Sequence, residues 1–291
     1  PSAGFLEMAS AGHSRISREG NDAALRRVSF LQPLVIEAAD ERWLSCAFDS
    51  GQFQIGTANC TDETQLNAAS LIPLCVGESR SAATMEEDAT VMRLRSFTPC
   101  LVDVHSFYSE LKRCSLEYGP AFRTVRGIWS STSSSPCVTA LLHQRRNDRA
   151  LRIHPADLTG AIDLSATVVK GASGQPKLPY AIASAQLSGG RGRGLAAALQ
   201  VAGDGTMSVR LIGLESHRRT LVRLDAFESR ELWTKLHGRD LENTTKSSYP
   251  GDWEMSADPN IGETTASRPT MPLSTTSHMY ITSWKPVQAH E

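Results

Sequence analysis

The stretch from Tyr118 to Asp163 constrains this chain more than any other, because it fixes a turn, a strand pair and a buried helix in close succession. Tyr118-Gly119-Pro120-Ala121-Phe122 reads as a turn feeding a strand. Gly119 permits a backbone with φ > 0, and Pro120 fixes its own φ. Phe122, Val125, Ile128 and Trp129 then supply apolar, partly β-branched strand material. The second piece, His154-Pro155-Ala156-Asp157-Leu158-Thr159-Gly160-Ala161-Ile162-Asp163, reads as the start of a helix. Pro155 suits a first turn, and Leu158, Ala161, Ile162 and Ser165 fall at helical spacing. A strand pair followed by a buried helix is the core of many α+β folds, and spacing alone names no reaction.

The same grouping is legible earlier in the chain. Residues 1–12 read as a helix with Phe5, Leu6, Met8 and Ala9 inward and Gly12 as its stop, followed by a polar loop from Ser14 to Asn21. Val28–Ile36, broken at Gln32-Pro33, reads as an edge or bulged strand. Trp43–Phe48 and Phe53–Thr57 flank Asp49-Ser50-Gly51, a hairpin signal, and Leu66–Val76 is a weaker strand. Composition turns small, polar and acidic over 77–99, in the manner of a linker. A helix with Val104, Phe107, Tyr108 and Leu111 on one face follows at Val102–Cys114. Strands are predicted at Phe122–Trp129, Val138–His143, Ile182–Leu187, Leu195–Val201 and Met207–Leu214, the last two joined by Gly203-Asp204-Gly205. A last helix is predicted at Leu221–Leu236. Residues 238–278, rich in Ser, Thr, Pro and Asn, read as a flexible tether, and Met279–Pro286 as the first strand of a further region.

Helix plus strands therefore occurs twice, as a duplication of pattern without a residue-level repeat. The expected boundaries are a first half at 1–82, a linker at 83–103, a second half at 104–230, and a linker opening into the next region at 231–291. Pro1 stands where a Met would begin a chain, so the first half is expected to be truncated at its N-terminus.

Composition excludes more than it assigns. The 291 residues carry a formal net charge of -1 and are 40% hydrophobic, enough for one large or two small cores. A near-neutral chain offers no electrostatic case for nucleic acid or an acidic membrane surface, and no apolar run is long enough to span a bilayer. Cys46, Cys60, Cys75, Cys100, Cys114 and Cys137 are scattered, with no C-x-x-C pair, and read as reduced, mostly buried thiols and not as a disulfide framework or metal site. Gly189-Gly190-Arg191-Gly192-Arg193-Gly194 reads as a flexible loop in preference to an RNA- or phosphate-binding run, having neither interleaved aromatics nor a following P-loop lysine, and its basic charge would also suit contact with an acidic protein. No G-x-S-x-G elbow is present.

The order of motifs resembles the dehydratase domain of type I polyketide synthases and of animal-type fatty acid synthases. PSAGFLEMA, at residues 1–9, is similar to that family's Pro-Gly-x-Gly/Ala-Tyr-Leu-Glu-Met-Ala helix start. The Val102–Trp129 segment, with Phe107-Tyr108, Leu111 and YGPAF, resembles the entry to the family's second half. HPADLTGAID stands where the family has His-Pro-x-Leu-Leu-Asp-x-x-Leu-Gln/His, and Leu178-Pro179-Tyr180 resembles its Leu-Pro-Phe/Tyr turn. Tyr280–Pro286 is similar to the Tyr…Trp-x-Pro strand after the dehydratase.

The resemblance implies a double hotdog, two α+β halves each made of a long helix wrapped by an antiparallel sheet. It implies removal of water from a β-hydroxyacyl thioester. The substrate would ride on the phosphopantetheine arm of an acyl carrier protein, with no cofactor or metal bound directly. Implied partners are the carrier and other synthase domains in cis, in a homodimeric, cytoplasmic parent. A His from the first half and an Asp from the second-half helix would serve as base and acid, the Asp kept protonated by a desolvated pocket. Tyr118, Gly119, Pro120, Phe122, His154, Pro179 and Tyr180 would line the substrate pocket, with His154 structural at the helix entry.

Two departures qualify that expectation. The family's His-x-x-x-Gly-x-x-x-x-Pro motif would place its base upstream of Pro1, and His13 reads as a solvated loop residue. The acid position is Thr159, whose hydroxyl is too weak an acid to protonate a leaving hydroxyl. Asp157 is expected to face away, about 200° around the helix, whereas Asp163 lies one turn on along the same face and is the possible substitute acid. The expected function is thus a degenerate dehydratase domain. The alternatives are a non-catalytic double-hotdog scaffold or dimerisation domain, and a product-template-like cyclase of the same fold.

Overall fold

The computed structural model describes residues 2–17, 22–34, 42–58, 72–82, 85, 96–131, 136–143, 151–168, 177–188, 194–214, 220–231 and 278–284. Among them, twelve strands form one antiparallel sheet in the order β12-β2-β3-β4-β1-β8-β11-β10-β9-β7-β6-β5. In chain order these are β1 (Asp22–Phe30), β2 (Arg42–Asp49), β3 (Gln52–Ala58), β4 (Ile72–Ala82), β5 (Cys100–Val102), β6 (Val125–Ser130), β7 (Cys137–Leu142), β8 (Lys177–Leu187), β9 (Leu195–Val201), β10 (Met207–Gly213), β11 (Thr220–Glu231) and β12 (His278–Trp284). The helices are α1 (Ser2–Ile16), α2 (Val104–Arg113), α3 (Pro155–Asp163) and the one-turn α4 (Ser165–Val168).

Two helix-bearing halves share this sheet. α1 packs on β1, β2, β3 and β4, and α3 packs on β7, β9 and β10. The halves meet where β1 pairs with β8, Ala23 opposite Leu187 and Val28 opposite Ile182. That seam brings α1 against α3. One hydrophobic cluster runs through both halves, from Phe5, Leu6 and Leu25 through Leu158 and Ile162 to Leu224 and Phe227.

The hairpin at Asp49-Ser50-Gly51 forms as read, with φ of 47° at Ser50 and 80° at Gly51, the two positive values that a tight primed turn needs. Gly205, at φ 85°, turns β9 into β10 as expected. α2 also forms as read. Phe107 and Leu111 are buried, and the Asp103 carboxylate caps the helix by accepting from the Ser106 N–H at 2.7 Å.

Other elements differ from the sequence reading. α1 runs on to Ile16, so Gly12 is no stop. A Cβ there would fall 2.5 Å from the Phe48 ring, so its role is close packing. The first strand begins at Asp22, earlier than Val28, and ends at Phe30, before Gln32-Pro33. The bulge lies at Arg26–Ser29, with Arg27 at φ 48°. β4 extends through Ala82, so residues 77–82 belong to a strand, and β5 falls inside the expected linker.

The largest correction is at Leu221–Leu236: residues 220–231 are a central strand between β8 and β10. The bulge at Ala226, φ 48°, spaces the inward residues Leu224 and Phe227 three apart and mimics a helical period. Leu178-Pro179-Tyr180 is likewise strand and not turn. Pro179 pairs with Ser229 where the β8–β11 register shifts, a place that tolerates a missing N–H. β12 lies on the outer edge of β2, Tyr280 opposite Cys46. The tether at 238–277, Cys60 and the arginines of the Gly-Arg run lie outside the described residues.

Candidate active site

α3 is entered through a capped turn. The His154 Nδ1 accepts from the Ala156 N–H at 3.2 Å, and Pro155 occupies the first position, where its missing N–H costs nothing. Ala156, Leu158, Ala161 and Ile162 are buried. The Thr124 hydroxyl, itself buried, donates to the Ala156 carbonyl at 3.3 Å. Gly160 makes this approach possible, because a Cβ there would collide with Thr124 Oγ1.

The entry turn is also held from the first half. Glu7 of α1 is buried, and its carboxylate accepts from the N–H groups of Arg152 at 2.7 Å and Ile153 at 3.1 Å. Burial raises the Glu7 pKa, and the two N–H groups with the Arg152 charge oppose that rise. Arg152 continues to Asp22 at 3.0 Å, and Asp22 accepts from the Ser188 hydroxyl at 2.5 Å. One polar chain thus joins α1, the start of β1, the end of β8 and the start of α3. Its sequence signal was a lone Glu among the apolar residues of PSAGFLEMA.

Thr159 and Asp163 are both half-buried, one turn apart on α3, while Asp157 is buried in the first turn. Asp163 accepts a hydrogen bond from the Tyr118 phenol, Oη to Oδ1, at 3.2 Å. Burial pushes the Asp163 carboxyl up to about 7, against the smaller lowering effect of that hydrogen bond. Burial and the adjacent Asp163 raise Tyr118 above the usual phenol range, so it remains a donor.

Tyr118 is itself well fixed. Its carbonyl accepts from Arg123 Nε at 2.9 Å, and its ring stacks on Phe122 with centroids 6.5 Å apart. Tyr108 accepts from the Val125 N–H at 2.9 Å and lies under the Arg123 guanidinium.

The other predicted pocket residues are placed differently. Gly119 has φ -67° and needs no glycine freedom, and Gly119, Pro120 and Phe122 are exposed on a single 3₁₀ turn. Pro179 and Tyr180 sit on β8, with the Arg230 guanidinium 3.4 Å above the Tyr180 ring. His13 is not a solvated loop residue: it lies within α1, with Nε2 buried and without a hydrogen-bond partner. Burial and then the Arg152 charge lower its pKa.

Of the described cysteines, all are free, with Cys46, Cys75 and Cys137 buried, Cys114 intermediate and Cys100 exposed. Burial pushes the Cys46 and Cys75 thiols up, so they are poor nucleophiles. No cluster of potential metal ligands, and no helix long and apolar enough to cross a membrane, occurs among the described residues.

Comparison with known proteins agrees with this architecture. A family model described as "Polyketide synthase dehydratase N-terminal domain" matches residues 91–233, the stretch that carries Tyr118, Thr159 and Asp163. Residues 91–233 match the polyketide synthase dehydratase family. The dehydratase domain from the CurK module of curacin polyketide synthase is similar at 14% identity with a TM-score of 0.66, covering 80% of this chain and 84% of that one. The CurF-module dehydratase of the same synthase gives 15% identity and 0.66, with the same coverage. A structure concerned with dehydratase substrate selection in the borrelidin and fluvirucin synthases gives 21% identity and 0.60, covering 80% of each chain. These likenesses are likenesses of fold. No curated protein sequence matches.

Proposed function

We propose that this chain is a double hotdog that receives a β-hydroxyacyl thioester, presented on the phosphopantetheine arm of an acyl carrier protein, and that its dehydration chemistry is attenuated. The observation that carries the reading is the face of α3 that presents Thr159 and Asp163. It belongs to a helix locked between the two halves by Glu7 and Thr124. An elimination of water needs a base at the α-carbon and an acid at the departing hydroxyl. Thr159 stands at the family's acid position and cannot supply that proton, because an alcohol does not ionise near neutral pH. The base that the resemblance implies is the His of a His-x-x-x-Gly-x-x-x-x-Pro motif whose Pro corresponds to Pro1. The carrier and neighbouring synthase domains are its partners in cis, within a homodimer.

The test is turnover of a β-hydroxyacyl thioester by the natural polypeptide that carries this domain, with Thr159→Asp as comparison. The reading expects slow release of the α,β-unsaturated thioester, accelerated in Thr159→Asp. Turnover as fast as that of an Asp-bearing dehydratase would overturn the attenuation. Failure to bind the thioester would remove the substrate assignment and leave the scaffold reading.

A further inference from the structure

We propose that the proton donor of this site is Asp163, aimed by Tyr118, and that it takes over from the place occupied by Thr159. The inference rests on the thioester reading above and names the residue that performs its acid step. Four observations converge on it.

Asp163 follows Thr159 by one helical turn, so the two side chains emerge on one face, about 5–6 Å apart at Cβ. The helix cannot rotate to hide that face. Gly160 is pressed against Thr124, and the entry turn is bonded to Glu7. The hydrogen bond at Asp163 is a phenol donating to Oδ1, which makes Oδ1 the acceptor oxygen and leaves Oδ2 to carry a proton. The carboxyl is half-buried with a neutral partner, and burial holds its pKa up to about 7, so it enters a reaction near neutral pH with a substantial protonated fraction.

The base removes the α-proton, and that C–H electron pair becomes the Cα–Cβ double bond. The Cβ–O bond breaks with its electrons on oxygen. The hydroxyl takes the proton from Asp163 Oδ2 and leaves as water. Asp163 remains as a carboxylate steadied by the Tyr118 hydrogen bond, and exchange with solvent returns its proton while the base loses the one it gained. Tyr118 acts through Asp163 and is a positioning residue. Thr159 has become a bystander that leaves room for a donor one turn further on.

The experiment compares wild type, Asp163→Asn, Tyr118→Phe and Thr159→Asp in the natural polypeptide, each checked for a cooperative melting transition well above the assay temperature and for binding of a non-hydrolysable β-hydroxyacyl thioester analogue. Asp163→Asn is expected to lower kcat by about 100-fold or more with analogue binding kept. Tyr118→Phe is expected to lower kcat by about 10-fold with KM unchanged, a split that a merely structural tyrosine would not give. If Asp163→Asn turns over at the wild-type rate, or if only Thr159→Asp turns over, the inference fails while the thioester reading stands. If no variant binds the analogue, both fail together.

Discussion

The two halves of the molecule each set a carboxylate on a helix, and they give it different partners. Glu7 of α1 meets two backbone N–H groups and lies beside Arg152. Asp163 of α3 meets one neutral phenol. A carboxylate with two N–H donors is a tie: its charge is consumed in holding the chain that approaches it. A carboxylate with only a hydroxyl is left nearer its neutral form and has a proton to give. The difference separates a residue that builds the site from one able to work in it, although both read in the sequence as acids within apolar helices.

The comparison breaks most visibly at Glu7. Glu7→Ala strands two buried N–H groups and uncouples Arg152, and should cost about 4 kcal/mol in denaturant unfolding. Glu7→Gln, able to accept but without charge, should recover about half of that. A loss under 1 kcal/mol would show that the α1–α3 tie is not structural.

The second test uses pH. Asp163 in the folded chain holds its proton to about 7, whereas the unfolded carboxyl releases it near 4. Between those values the native state binds more protons, so stability is greatest below the unfolded pKa and falls as pH rises, levelling above about 7. The ceiling is 3 pKa units at about 1.4 kcal/mol each, roughly 4 kcal/mol, and partial exposure reduces it to roughly 3 kcal/mol. Glu7 shifts in the same direction, so the measurement is wild type minus Asp163→Asn across that window. A difference that does not change with pH would refute the neutral-acid description.

Gly160→Ala follows, at about 2 kcal/mol. The new methyl collides with the Thr124 hydroxyl and overpacking outweighs the gain in helix propensity. Thr124→Ser in the same chain should not relieve the clash, whereas Thr124→Ala should relieve part of it. The smallest effect is Tyr118→Phe, about 1 kcal/mol. Removing the donor that lowers the Asp163 pKa should also move the upper end of the pH window above 7.

Much of the fold was legible because its signals are local. The Asp49-Ser50-Gly51 and Gly203-Asp204-Gly205 turns, the apolar face of α2 and the His154-Pro155 helix start all rest on neighbouring residues. What misled was backbone irregularity. The bulge at Ala226 shifted a strand toward a helical period, and Pro179 in a register shift resembled a turn. At the site, the spacing of Thr159 and Asp163 was readable from one helix, but the Tyr118–Asp163 bond was not, because it joins residues from separate elements. The same holds for Glu7 with Ile153 and for Thr124 with Gly160.

The β1–β8 seam has a consequence for how the chain is made. β1 ends at Phe30, and its partner on that side begins only at Lys177. As the polypeptide leaves the ribosome, β1 can pair with β4 on one side while its other edge stays open until β8 is synthesised. Pairings so distant in sequence are slow to close, and an open edge invites association with other chains. Truncation before Lys177 should therefore give an aggregation-prone species and not a stable half, and slower translation across 83–176 should lengthen that vulnerable interval.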